Sequence, residues 1–112
     1  MAHEKYQSCI EACIKCAEEC EHCVDACLSE QDVKKMAECI RLDRDCAEAC
    51  WGAAAWMSRG SQFAADLCRL CAEVCDACGA ECEKHEAEHC QRCAEECRRC
   101  AEECRQMVGA GV

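Results

Sequence analysis

Cysteine recurs along this chain at alternating steps of three and four residues, and that rhythm restricts the fold more than any other feature. The first segment carries Cys9, Cys13, Cys16, Cys20, Cys23 and Cys27. A third carries Cys68, Cys71, Cys75, Cys78 and Cys82, and a fourth carries Cys90, Cys93, Cys97, Cys100 and Cys104. The second keeps the same beat with gaps filled: Met36, Cys39, Asp43, Cys46, Cys50, Ala53 and Met57. Alternation of three and four is the seam of a helix that faces the middle of a bundle. Thiols therefore stand where leucine and isoleucine ordinarily sit. The chain has 112 residues and 19 cysteines but only one Phe, one Tyr and two Trp, so no conventional oily core is available. Proline is absent and glycine numbers five, which argues against a loop-rich disulfide scaffold.

The breaks between segments are short and sit where helices should turn. Ser29 to Asp32 offers a cap for a second helix, Gly60 and Ser61 a stop and a start, and Lys84 to Glu86 a final turn. These signals predict helices over about 4–28, 33–57, 62–83 and 87–106. Short connections make neighbours antiparallel, giving an all-α, up-down-up-down four-helix bundle built as a single domain over 1–112. At 1.5 Å per residue the cysteines of the first helix line roughly 27 Å of its axis.

Charge and hydropathy exclude several function classes. A net charge of −10 makes a nucleic-acid partner an unsuitable expectation, because phosphate binding needs a basic face. The acidic residues are spread through every segment and read as solvated helix surface. The longest apolar run, Ala53 to Met57, is far short of a membrane span. The first residues carry neither the basic nor the apolar region of a signal peptide, so the expectation is a cytoplasmic protein with reduced thiols. No residue pattern suggests an enzyme active site.

A core of 19 small hydrophobes would gain little dispersion energy and be open to oxidation. Residues three or four apart on one helix point the same way and make poor disulfides, so a structural disulfide bundle would need bridges between helices. Metal binding remains, and thiolates select soft ions: Cu(I), zinc or iron–sulfur clusters. Each tetrahedral zinc thiolate carries −2, so four of them would place about −8 inside a narrow bundle at a high desolvation cost. Cu(I) accepts two thiolates in a near-linear arrangement, which pairs three or four apart on a helix can supply. With bridging thiolates the ratio tends to one, each unit is neutral, and capacity is on the order of 15–20 ions per chain. Many near-equivalent sites suit storage. An iron–sulfur protein is the rival reading, since Cys13–Cys16, Cys20–Cys23, Cys68–Cys71, Cys75–Cys78, Cys90–Cys93 and Cys97–Cys100 are all CxxC pairs. Each pair, however, lies inside continuous helical periodicity.

From Cys9 to Met107 the sequence resembles the cytosolic copper storage proteins, four-helix bundles filled with cysteine. The most specific pieces are Cys9-Ile10-Glu11-Ala12-Cys13, Cys39-Ile40-Arg41-Leu42-Asp43-Arg44, and Lys84-His85 through His89-Cys90-Gln91. The resemblance implies reversible storage of many Cu(I) ions on thiolates, in a homotetramer. It also implies a site at one end of the core that draws on His and Asp.

Antiparallel packing gives the two ends different chemistry. One collects Cys27, Met36, Cys39, Asp43, Cys82, His85, His89 and Cys90, and is expected to be the mouth. The other collects Tyr6, Cys9, Ala53, Met57, Ala64, Cys68, Cys104 and Met107, with Trp56 and Phe63 adjacent, and is expected to be a plug. Asp43 is on the seam, where an unpaired carboxylate is expensive to bury, so a copper or histidine partner is expected, with Arg41 or Arg44 as the alternative. His85 continues the third seam and His89 directly precedes Cys90, so both are candidate ligands, whereas Met36 is read as core and His3 and His22 as surface. A second apolar stripe (Ile10, Ile14, Ala17, Val24 and Leu28; Ile40, Ala47, Trp51 and Ala54; Phe63, Leu67, Leu70, Val74 and Ala77) points to subunit contacts through helices one to three.

Overall fold

A computed structural model describes residues 2–109, with side chains from residue 4 onward. Five α-helices and one 3-10 turn account for nearly all of it. A short helix α1 (Ala2–Lys5) leads into α2 (Gln7–Leu28); the 3-10 turn Val33–Met36 then leads into α3 (Ala37–Ser58), α4 (Ala64–Glu83) and α5 (Glu88–Gly109). The four long helices form the antiparallel bundle that the cysteine rhythm predicts. In it, α2 packs on α3 and α5, and α4 packs on α3 and α5, which closes a four-sided ring around the seam. The molecule is a rod of 47 × 20 × 18 Å. No helix among the described residues is long and apolar enough to cross a membrane.

Local chemistry fixes the turns. At the end of α3, Ser61 N–H donates to the Trp56 carbonyl and Gly60 N–H donates to that of Met57. Gly60 takes φ 67°, the left-handed conformation this helix stop requires. Ser61 acts slightly earlier than its position suggested: its Oγ accepts from the Phe63 N–H, and α4 opens at Ala64. Likewise Asp32 precedes a 3-10 turn, and α3 begins only after Met36. At the other end of the bundle, Gln91 Nε2 donates to the carbonyls of His85, at 2.6 Å, and Glu83, at 3.3 Å. That clamp ties the α4–α5 turn to the first turns of α5. Gly79 lets α4 and α5 approach closely, since a Cβ there would lie 3.3 Å from Cys97 Cβ.

The core is what the seam predicts. Every cysteine is buried, together with Met57, Ala53 and Ala64 at one end and Met36 at the other. Part of the second apolar stripe is spent inside the same bundle, with Ile10, Ala17, Ala47 and Ala54 buried. Ile14, Leu28, Trp51, Phe63 and Leu70 remain on the surface. Trp51 uses its indole N–H there to donate to Glu21, at 3.2 Å.

Candidate metal-binding core

Successive turns of the four helices deliver sulfur atoms into one axial column. Neighbouring Sγ atoms lie 3.6 to 4.0 Å apart, both within a helix, as for Cys46 and Cys50, and between helices, as for Cys46 and Cys75. All 19 cysteines are free thiols. A disulfide needs about 2.05 Å, so the column is a set of reduced thiols in van der Waals and hydrogen-bonding contact. A metal–sulfur bond is about 2.3 Å, which puts two donors of a linear ion ~4.6 Å apart and three donors of a trigonal ion ~4.0 Å apart. The observed spacings reach those values with shifts of less than about 1 Å, which rotamer adjustment can supply.

The sulfur atoms are not partitioned into separate four-ligand cages. Groups whose donor atoms all lie within 4.8 Å of one another include Cys16-Cys46-Cys50-Cys75, Cys16-Cys20-Cys46-Cys97 and Cys20-Cys78-Cys93-Cys97. Cys16 and Cys46 each belong to two of these groups, as do Cys20 and Cys97. Four-thiolate ions could not fill all of them together. Shared membership is the geometry of bridging thiolates.

Asp43 sits within this column rather than against an arginine. It is wholly buried, with Oδ1 accepting from the thiols of Cys78 at 3.1 Å, Cys93 at 3.3 Å and Cys82 at 3.5 Å. Its Oδ2 accepts from Cys39 at 3.6 Å. Burial pushes its carboxyl up to about 8, so at neutral pH it is mainly a neutral acid. The carboxyl bridges two populations: Cys39 and Cys82 toward the end of the bundle, Cys78 and Cys93 toward its middle.

Beyond Asp43 lies the mixed-donor end. Cys23, Cys27, Cys39 and Cys90 form one close group there. Burial pushes the Cys27 thiol up to about 12 and likewise raises that of Cys90. Both thiols are therefore protonated until a metal displaces the proton. His89 faces this group: its Nδ1 is 3.4 Å from Cys23 Sγ and 3.5 Å from Cys90 Sγ. Its Nε2 lies 2.9 Å from Glu30 Oε2, so a proton on Nε2 leaves the Nδ1 lone pair toward the thiols. His85 is held differently, with Nε2 2.9 Å from Glu81 Oε2, one turn earlier on α4. It lines a cavity of about 700 Å³ with Glu30, Asp32, Lys35, Met36 and Lys84, at the rim rather than against a thiol. His22 is exposed, and the side chain of His3 lies outside the described residues.

Glu30 and Glu81 are the residues that reading the sequence missed. The spacing of four between Glu81 and His85 was a usable signal. Glu30 had none, because it meets His89 only through the packing of two turns that are 59 residues apart.

The opposite end is closed and apolar. Cys9 Sγ donates to Cys104 Sγ at 3.7 Å, and Cys68 Sγ donates to Met57 Sδ at 3.6 Å. Ala53 and Ala64 are buried beside them, with Tyr6, Trp56 and Met107 half-buried against the core. Trp56 and Phe63 meet edge to face at 6.5 Å between centroids.

Comparison with known proteins agrees with this geometry. The family model described as copper storage protein matches residues 2–109. The Cu(I)-bound copper storage protein BsCsp3 superposes with a TM-score of 0.90 at 48% identity, over 93% of this chain and 98% of that one. A cytosolic copper storage protein from Streptomyces lividans, in a form carrying five coppers, gives 0.91 at 42% identity over 96% and 95%. An uncharacterized cysteine-rich protein of Bacillus subtilis, YhjQ, is 50% identical over 69 residues, which are 61% of this chain and 64% of that protein's length. On the match along almost its entire length, the chain belongs to the copper storage protein family.

Proposed function

We propose that this chain is a cytosolic store for many Cu(I) ions, held on the thiolates of all 19 core cysteines. The observation that carries it is the continuous, shared column of buried sulfur atoms. Soft thiolates select a soft monovalent ion, and overlapping groups favour ions linked by bridging thiolates over isolated cages. One Cu⁺ per thiolate is neutral, so a filled column can remain in a core that, among the described residues, buries no Lys or Arg. Each ion that enters displaces a thiol proton to the solvent. Many near-equivalent positions suit holding metal, and storage rather than catalysis is the family's role. Residues 1–112 act as one storage domain.

Copper enters at the mixed-donor end. His85 meets the ion at the rim, and His89 presents Nδ1 beside Cys23 and Cys90. Asp43 then relays it from Cys39 and Cys82 to Cys78 and Cys93. The exposed Ile14, Trp51 and Leu70, on helices α2, α3 and α4, support assembly through those three helices, and the family resemblance makes the assembly a homotetramer. Anaerobic titration with Cu(I) against a competing chelator tests the storage reading, with uptake of roughly 15–20 ions per chain expected. Saturation at one to four ions would favour a zinc or iron–sulfur site instead. Sedimentation of the apo and loaded protein tests the tetramer.

A further inference from the structure

A string of two-coordinate ions joined by bridging thiolates has ends, and the ion at an end lacks one donor. A further thiolate there would leave a negative charge in a dry core. A thioether supplies the missing lone pair without charge, and as a soft donor it suits Cu(I). At the closed end the seam of α3 places one such donor, Met57, fully buried one turn beyond Ala53. Cys68 directs its S–H at Met57 Sδ, with 3.6 Å between the sulfur atoms. The hydrogen between them occupies the place a two-coordinate ion takes when it replaces a thiol proton.

We infer that Met57 Sδ and Cys68 Sγ form a terminal site for a soft monovalent cation at the closed end of the column. The inference rests on the storage reading above and deepens it. On filling, the Cys68 proton leaves to the solvent, its thiolate and the Met57 thioether each donate a lone pair, and no redox change occurs. A linear arrangement with bonds of about 2.3 Å needs the sulfur atoms ~4.6 Å apart. Met57 reaches that separation by withdrawing about 1 Å, which its three rotatable bonds allow. Cys9 and Cys104, 3.7 Å apart, supply the next link of the string. A methionine that only fills space would remain unbonded as the column loads.

Selenomethionine-labelled protein, loaded anaerobically with Cu(I) and read by X-ray absorption at the selenium edge, distinguishes the two roles. The chain has four methionines, Met1, Met36, Met57 and Met107. A selenium–copper distance near ~2.4 Å is expected for about one selenium in four, close to the metal–sulfur bond length. It should persist when Met36 and Met107 are both replaced by Leu, and vanish in Met57→Leu. Met57→Leu should also lower capacity by about one ion per chain. Full loading without a selenium–copper distance, or with one that survives Met57→Leu, overturns the inference and leaves the storage reading standing. Saturation at one to four ions overturns the storage reading, and the terminal site with it. Should Met57→Leu fail to fold, the protein retaining Met57 but not Met36 or Met107 still decides.

Discussion

The two ends of the bundle are made from the same helices on the same seam, yet their chemistry is opposite. At the mouth the seam positions nearest solvent are thiol, imidazole and carboxyl, with Glu30 and Glu81 holding the two histidines. At the closed end they are alanine, methionine and thiol, covered by Tyr6, Trp56 and Met107. Apolar packing and weak thiol hydrogen bonds determine geometry there, whereas hydrogen bonds to carboxylates determine it at the mouth. With entry proposed at the polar end, the cargo is expected to travel in a single direction. Stability should then be concentrated at the closed end and the control of metal traffic at the mouth.

The sharpest way to break that contrast is to open the closed end. Met57→Ala removes a fully buried side chain and should cost about 2–5 kcal/mol in the reduced apo-protein, read by urea unfolding. His89→Ala, half-buried at the mouth, should cost less than about 1 kcal/mol. Equal costs would mean the ends do not differ as described.

Asp43 should give the next largest effect, and it depends on pH. Its folded-state value of about 8 lies above the ordinary 3.8, so the folded protein holds this proton more tightly than the unfolded chain does. The stability it confers is fully present below pH 4 and is lost as pH rises through 8. Asp43→Asn removes that titration. Its stability relative to the parent apo-protein should therefore rise by about 5 kcal/mol between pH 4 and pH 8. A pH-independent difference would show that Asp43 is not a buried neutral acid.

Loading kinetics sharpen the comparison from the other side. His89→Ala should slow Cu(I) uptake by about 10- to 100-fold, measured by anaerobic stopped-flow absorption, because an aligned donor at the entrance is lost. Phe63→Ala, at the exposed closed end, should load at the parent rate. If Phe63→Ala slows uptake and His89→Ala does not, the entrance has been assigned to the wrong end. The smallest effect belongs to a turn: Gly60→Ala should cost about 1–2 kcal/mol by thermal unfolding, because only glycine takes φ 67° without strain.

How far the sequence revealed these ends follows from what each depends on. Helix number, antiparallel order and the cysteine core were legible because a three-four rhythm reports a buried face, whatever residue occupies it. Asp43 was legible as an anomaly on that face, and its four thiol partners follow from the same seam. The arginine alternative fails because Arg41 and Arg44 project from the outer surface of α3. His89 and His85 could be placed at the mixed-donor end, but not with their partners: Nδ1 of His89, on α5, faces Cys23 and Cys90, whereas His85, in the turn after α4, meets Glu81. Glu30 was invisible, since nothing local marks a loop glutamate that meets a histidine 59 residues away. The apolar stripe misled in part, because Ile10, Ala17, Ala47 and Ala54 serve the bundle's own packing.

The storage role depends on the sulfur column acting as one connected metal store. Anaerobic Cu(I) titration of the reduced protein, with free thiols counted and released protons recorded together, tests this most directly. Uptake of roughly 15–20 Cu(I) per chain, with about one proton released per ion, is the expected result. Saturation at one to four ions, with most thiols still reactive, would contradict it.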